Sequence, residues 1–195
     1  MKDTREYIID EAYKLFLTQS YEAVSISDIS KAIGLTKGAL YHHFKNKEEL
    51  FHAVIDKHFP IISMSVDEKN VSLEDYTRIC IKHIRKILKE IFSNNKEFTP
   101  VNFMALIADS LRHYEGFAEQ KNKLIDEETA RVKVIIGNAI KRGEIRADIN
   151  ISHVTMLYFS LTIGLAGEVM RNNSVESAIK SLKDQLTQLY YLLKK

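Results

Sequence analysis

Cysteine occurs once among the 195 residues, proline twice and glycine seven times. The single thiol, Cys80, rules out an intramolecular disulfide framework and a cysteine-rich zinc site, which favours a reducing compartment. With so few turn formers, and no alternating β-branched runs paired through Asn-Gly or Asp-Gly, hairpins are excluded and the chain reads as all-α. The opening Met1-Lys2-Asp3-Thr4-Arg5-Glu6 is too charged for the apolar core of a signal peptide, so a cytoplasmic location is expected. The longest uncharged stretch, Ile149 to Gly167, is interrupted by Asn150, Ser152, His153, Thr155, Ser160 and Thr162. It reads as a buried helix, and no membrane partner is expected.

What remains is a globular composition. Lys and Arg number 28 against 26 Asp and Glu, and 45% of residues are hydrophobic. A chain of this length can bury about 70% of the surface its unfolded form exposes. A formal charge of +2 says nothing about nucleic acid, because such binding depends on where cations cluster.

The apolar spacing predicts about nine helices. Ile8, Ile9, Ala12, Leu15 and Phe16 form the inner stripe of the first, which ends near Ser20. Ser25 and Asp28 have capping-box spacing, Ile29, Ala32 and Ile33 face inward, and Gly34 is a C-terminal stop. Thr36 caps a short helix from Lys37 to about Phe44, so two short helices joined by a tight turn make a helix-turn-helix. Asn46 and Glu49 open a longer helix that stops at Pro60. After a connection through Val71, Ser72 and Asp75 cap a helix with the stripe Tyr76, Ile79, Cys80, His83, Ile84, Ile87 and Ile91, broken at Asn94 to Lys96. Thr99 and Pro100 begin a helix carrying Phe103, Met104, Ile107 and Leu111. A long helix from about Gly116 to Arg142, closed by Gly143, precedes two last helices, about Ser152 to Arg171 and Ser174 to Leu193.

Between Ile29 and Lys47 lie Lys31, Lys37, Lys45, Lys47, His42 and His43, with no acidic residue. Leu40 and Phe44 match the inward stripe of the helix from Lys37, leaving Lys37, Gly38, Tyr41 and His42 outward with Ala39 and His43 beside them. Such a helix can enter a major groove: Lys37 serves a phosphate or a guanine edge, Ala39 a thymine methyl, and Tyr41 and the histidines phosphate oxygens. Lys47, in the first turn of the next helix, joins unpaired backbone N–H groups as an anion site.

The run Ala23-Val24-Ser25-Ile26-Ser27-Asp28-Ile29-Ser30-Lys31-Ala32-Ile33-Gly34-Leu35-Thr36-Lys37-Gly38-Ala39-Leu40-Tyr41-His42-His43-Phe44-Lys45-Asn46-Lys47-Glu48-Glu49-Leu50 resembles the helix-turn-helix of the tetracycline-repressor (TetR) family of bacterial regulators. The likeness covers residues 5 to about 55, and Gly38 to Lys47 is its most specific piece. One departure is Ser20-Tyr21, where the family commonly has a glycine before the aromatic residue. The resemblance implies an all-α homodimer with an N-terminal three-helix DNA-binding domain and a C-terminal helical domain for ligand and dimer contacts. Residues 1–46 would be the first and 47–195 the second, with 47–59 as the connecting helix. Together with the exposed face, it implies a DNA contact set of Ser25, Ser27, Thr36, Lys37, Gly38, Ala39, Tyr41, His42, His43 and Lys47.

Three further expectations concern the C-terminal body. Leu157, Leu161 and Leu165 would meet Leu182, Leu186 and Leu189 across a dimeric four-helix bundle, or else form the core of a monomer. A dimer would place two recognition helices about 34–36 Å apart on a palindromic double-stranded operator. A small, largely apolar effector would sit near His83, Phe103, Met104, Ile107, Tyr158 and Thr162. Its binding would lower DNA affinity, with the helix from Lys47 to Phe59 as the only covalent route between the halves. The result is a ligand-responsive transcriptional regulator, most simply a repressor.

No catalytic residue, metal site or cofactor is expected. His52, Asp56 and His58 spread over different faces of one helix and read as surface residues, unlike paired i, i+4 zinc ligands. Cys80, within an apolar stripe, reads as a small buried hydrophobe. The alternative to a regulator is a helical interaction or ligand-binding protein whose helix-turn-helix is purely structural.

Overall fold

The computed structural model describes residues 3–59, 64–93 and 99–195, with backbone alone for 91–93. Among them are nine helices: α1 (Thr4–Thr18), α2 (Ile26–Ile33), α3 (Lys37–His43), α4 (Lys47–His58), α5 (Leu73–Ser93), α6 (Pro100–His113), α7 (Phe117–Lys141), α8 (Ile151–Asn172) and α9 (Val175–Leu193). The expected stop at Pro60, the break at Asn94 to Lys96 and the side chain of Ile91 lie outside the described residues.

The helix starts follow local side-chain chemistry. Ser25, Thr36, Asn46, Thr99 and Ser174 each accept a hydrogen bond from a backbone N–H of the first turn that has no carbonyl partner. The Ser25 box is complete, since Asp28 also accepts from the Ser25 N–H at 3.0 Å. At α4 the Glu49 carboxylate reaches one residue further back than expected and takes the Lys45 N–H at 2.7 Å. Helix α8 begins at Ile151, one residue before the expected Ser152, because Asn150 caps it by accepting from His153 N–H at 3.0 Å.

The chain divides into two compact units, residues 1–61 with 95–121, and 62–94 with 122–195. In the first, α1 is central. Its Ile8, Ile9, Ala12 and Phe16 are buried with Ile29 and Ile33 of α2, Leu40 of α3, Leu50, Phe51, Val54 and Ile55 of α4, and Leu106 of α6. Phe51 meets the rings of Phe16 and Tyr21 edge-on at 5.1 and 4.8 Å. Polar pairs lock α1 to α4: Lys57 bridges Glu6 at 2.5 Å and Asp10 at 2.7 Å, and the His58 ring stacks on Tyr13 at 3.8 Å. The sequence boundary between 46 and 47 therefore does not coincide with a packing boundary, since α4 and α6 both belong to one compact unit with α1, α2 and α3.

Tyr21, in the turn after α1, shows how α6 is held. Its N–H donates to the buried Asp109 carboxylate at 2.7 Å, and its ring stacks on His113 at 4.3 Å. Ser20 keeps a negative φ, as only Asn173 among the described non-glycine residues is left-handed. The turn thus needs no glycine at that position, which accounts for the departure from the family pattern.

The second unit buries Tyr76, Val132, Ile135, Ile136, Tyr158, Leu165, Leu182 and Leu186 in one core. Its connection before α5 is tied to α7: Asn138 donates to Glu68 O at 3.0 Å and Arg142 to Val71 O at 2.7 Å. At the end of α7, Gly143 adopts φ 71°, and Glu144 N–H returns to Ala139 O at 2.9 Å, closing a Schellman turn.

Helix α8 corrects the expectation of a buried helix. By length and composition it passes for a membrane span, yet only 28% of its most apolar window is buried within the chain. Val154, Tyr158, Leu165 and Val169 face the core, while Met156, Leu157 and Ile163 are exposed. Its apolar surface is wider than one core can cover.

Candidate nucleic-acid interface and ligand cavity

Helices α2 and α3 are set by two backbone devices. Gly34 takes φ 68°, its N–H returns to Lys31 O at 3.3 Å and the next N–H, of Leu35, to Ser30 O at 3.2 Å. This Schellman closure ends α2 at a conformation that costs a residue with a Cβ roughly 1–2 kcal/mol. The buried Ser30 hydroxyl then donates to Leu35 O at 2.5 Å, holding the turn. Two residues on, the Thr36 hydroxyl accepts from Ala39 N–H at 3.2 Å and starts α3.

That placement fixes what α3 shows to solvent. Leu40 and Phe44 are buried, while Lys37, Gly38, Tyr41 and His42 are exposed, with Ala39 and His43 half-buried at the margins. Tyr41 is 51% exposed, unusual for a large ring and apt for a partner surface. Ser25 and Thr36 are exposed and Ser27 is half-buried. Ala32, expected to face inward, is exposed.

Gly38 is informative because nothing inside the protein requires it. It lies within α3 without a positive φ, and a Cβ there would meet only Thr36 Oγ1, at 3.9 Å. The open side of this glycine faces solvent, where a close-lying partner would benefit from its lack of a side chain.

Lys47 is more constrained than expected. Its ammonium donates to Tyr21 O at 2.9 Å and lies 4.0 Å from the centre of the Tyr21 ring. An ammonium has three donors, so this bond positions it and leaves two for an anion.

The residues expected around an effector are not brought together as a set. His83, Tyr158 and Thr162 line one cavity of about 160 Å³ in the second unit, with Met64, Tyr76, Cys80, Ile87, Leu124, Glu128 and Phe159. Phe103, Met104 and Ile107 instead lie on α6 in the first unit, where the Phe103 ring meets Phe59 at 5.3 Å. The α5 stripe held a signal for part of the missed lining, since Tyr76, Cys80 and Ile87 share the spacing of His83. Glu128 is occupied by Arg131, which also binds Glu68 at 3.0 Å. Burial raises the Cys80 thiol above its usual range, which keeps it a protonated wall residue. A larger cleft of about 510 Å³ in the first unit has Glu48, Arg112, Glu115 and Glu119 in its walls and does not suit an apolar ligand.

The dimer leucines also separate. Leu165, Leu182 and Leu186 are buried in the second unit's own core, Leu161 and Leu189 pack partly against it, and Leu157 is 53% exposed. The three histidine-helix residues are not free surface groups. His52 stacks on Tyr114 at 4.0 Å, Asp56 accepts from the Tyr114 hydroxyl at 2.8 Å, and His58 lies against Tyr13. Among the described residues no group of three His, Cys, Asp or Glu side chains is placed to hold a metal.

Residues 8–54 match the family model for bacterial regulatory proteins of the tetR family. The chain is 28% identical over 148 residues to the Transposon Tn10 TetC protein of Escherichia coli, covering 75% of this chain and 70% of that protein. It is 24% identical over 179 residues to the probable HTH-type transcriptional regulator ArpR of Pseudomonas putida, with 85% and 80% covered. Its fold is similar to SmeT, the repressor of the Stenotrophomonas maltophilia multidrug efflux pump SmeDEF, at TM-score 0.66 and 19% identity over 100% of this chain and 92% of that one. A SmeT–triclosan complex superposes at TM-score 0.61, with 20% identity over 98% and 92% of the two chains.

A helix-turn-helix with an exposed basic recognition helix, joined to a helical body, defines a DNA-binding transcriptional regulator. Residues 8–54 are similar to the DNA-binding domain of the TetR family of these bacterial regulators.

Proposed function

We propose that this protein is a homodimeric repressor that leaves a palindromic operator when a small, largely apolar effector occupies its C-terminal body. The observation that carries the DNA-binding half is α3: its inward side is fully used by Leu40 and Phe44, and its outward side is Lys37, Gly38, Tyr41 and His42. Lys37 and Lys47 act as charge contacts; Ser27, Thr36, Tyr41, His42 and His43 donate to phosphates or base edges, beside Ser25, whose hydroxyl donates to Asp28 at 2.5 Å; Ala39 and Gly38 permit close approach. In function, residues 1–46 contact DNA together with Lys47, and the rest of 47–195 serves the effector and the dimer, although α4 and α6 pack with residues 1–46. The Lys37→Ala/Tyr41→Ala double variant should lose affinity for operator duplex selected from random DNA. Retained affinity would leave the helix-turn-helix a structural motif.

Dimerisation is supported by the exposed side of α8. Met156, Leu157 and Ile163 are 64%, 53% and 65% exposed on one helix. A second copy would cover them and place two α3 helices for successive major grooves. Wild-type protein should sediment as a dimer and Leu157→Glu/Ile163→Glu as a folded monomer. A monomeric wild type with intact operator binding contradicts this arrangement.

The route from effector to DNA differs from the sequence expectation. The chain passes between the units three times, at 61/62, 94/95 and 121/122, so α4 is not the only covalent link. Helix α7 runs through the last of these. It carries Leu124 and Glu128 in the cavity wall, and near its start Phe117 meets the Tyr114 ring at 5.7 Å. Tyr114 in turn bonds Asp56 of α4 at 2.8 Å. An effector that shifts α7 therefore reaches α4 and, through it, α3. Linkage then requires operator DNA to weaken effector binding by the same factor.

A further inference from the structure

We propose that the cavity between α5, α7 and α8 selects neutral one-ring aromatic molecules bearing a hydroxyl group, with Tyr158 as the residue that recognises the hydroxyl. This rests on the reading of that cavity as the effector site and names the chemical class it takes.

Tyr158 is 5% exposed, and its hydroxyl oxygen is buried without a hydrogen-bond partner. Its polar neighbours are the Cys80 thiol and the Thr77 hydroxyl, and Thr77 already donates to Leu73 O at 2.8 Å. A buried hydroxyl without a partner is rare and unfavourable, and the wall of a cavity is where a ligand atom or a water would supply one. Burial raises this phenol well above its usual range, so it stays protonated and can both donate and accept.

Size and lining narrow the class. The cavity holds about 160 Å³, close to the roughly 150 Å³ that admits a single benzene ring elsewhere. Tyr76 and Tyr158 form part of the wall with ring centres 5.9 Å apart and an interplanar angle of 36°, and Phe159, Met64, Ile87 and Leu124 are its other aromatic and apolar members. The Glu128 carboxylate is engaged by Arg131, which removes the obvious partner for a cationic ligand. What remains is a flat apolar body with one hydrogen-bonding group.

Phenol and toluene have nearly the same shape and differ in that group. Their dissociation constants would be measured by calorimetry on the full chain, wild type and Tyr158→Phe. The ratio of phenol to toluene affinity should fall about fivefold in the variant, the change that losing one neutral hydrogen bond produces. Taking the ratio cancels the different hydration of the two probes. A ratio unchanged by Tyr158→Phe, with both probes binding, overturns the hydroxyl assignment and leaves the effector cavity standing. Failure of both probes to bind wild type overturns the cavity reading as well. Thr162→Leu, which fills the cavity, should abolish both; binding that survives it places the probes elsewhere and refutes the proposal.

Discussion

Replacing Gly38 by alanine should move stability and DNA affinity in opposite directions. Within the protein the new methyl meets only Thr36 Oγ1, at 3.9 Å, an ordinary van der Waals distance, and the backbone is not left-handed. Alanine in a helix is favoured over glycine by about 0.5–1 kcal/mol, because the unfolded glycine has more freedom to lose. At about 2–4 °C per kcal/mol for a chain of this size, the melting temperature should rise by about 1–4 °C. If a duplex packs against Gly38 as proposed, the same methyl has to be forced into that contact, which costs about 1–3 kcal/mol, or about 5- to 150-fold in Kd. Because no charge changes, the salt dependence of binding should keep its slope. Thermal melts and fluorescence anisotropy on a selected operator read both quantities. A stabilised variant with unchanged Kd would show that DNA does not approach Gly38, and a destabilised one would contradict the space described around it.

Perturbations at four other residues separate contact from support. Lys37→Ala should reduce the salt slope by about one without changing the melting temperature, whereas Lys47→Ala should also lower the melting temperature, because its ammonium holds Tyr21 O; equal melting temperatures would make that bond inconsequential. Asp109→Ala strands the Tyr21 N–H that it accepts at 2.7 Å, and should cost about 1–3 kcal/mol in denaturant unfolding. Asp109→Asn, which keeps an acceptor oxygen, should recover much of that loss. His58 is pushed below its usual range by burial, opposed by Asp10. In the fold it binds fewer protons than when unfolded, so its contribution is present above about pH 6.5 and is lost as pH falls toward the folded value. His58→Phe should therefore flatten the fall in melting temperature below about pH 6.5, and an unchanged slope would assign that fall to other groups.

The helix-turn-helix was legible in the sequence because what builds it is local. Ser25 with Asp28, Gly34 and Thr36 with Ala39 form their bonds within a few residues, so spacing along the chain is already spacing in space. The exposed side of α3 followed from the same periodicity, since Leu40 and Phe44 leave only one direction for Lys37, Tyr41 and His42. Ala32 escaped this logic because a methyl is small enough for either side of a helix.

Tertiary structure alone decided the rest. Tyr21 and Asp109 are 88 positions apart, and no pattern around either marks the bond that fastens α6 to the DNA-binding helices. That packing took Phe103, Met104 and Ile107 away from the ligand residues they were grouped with. An apolar stripe likewise states that a surface avoids water without stating what covers it. Leu165, Leu182 and Leu186 satisfy that requirement inside one chain, whereas Leu157 does not. The orphan hydroxyl of Tyr158 belongs to the same class of fact: whether a buried polar group has a partner depends on where α5 places Thr77 and Cys80 against α8. Periodicity constrains direction about a single helix axis, and only the packing of several axes determines which atoms meet.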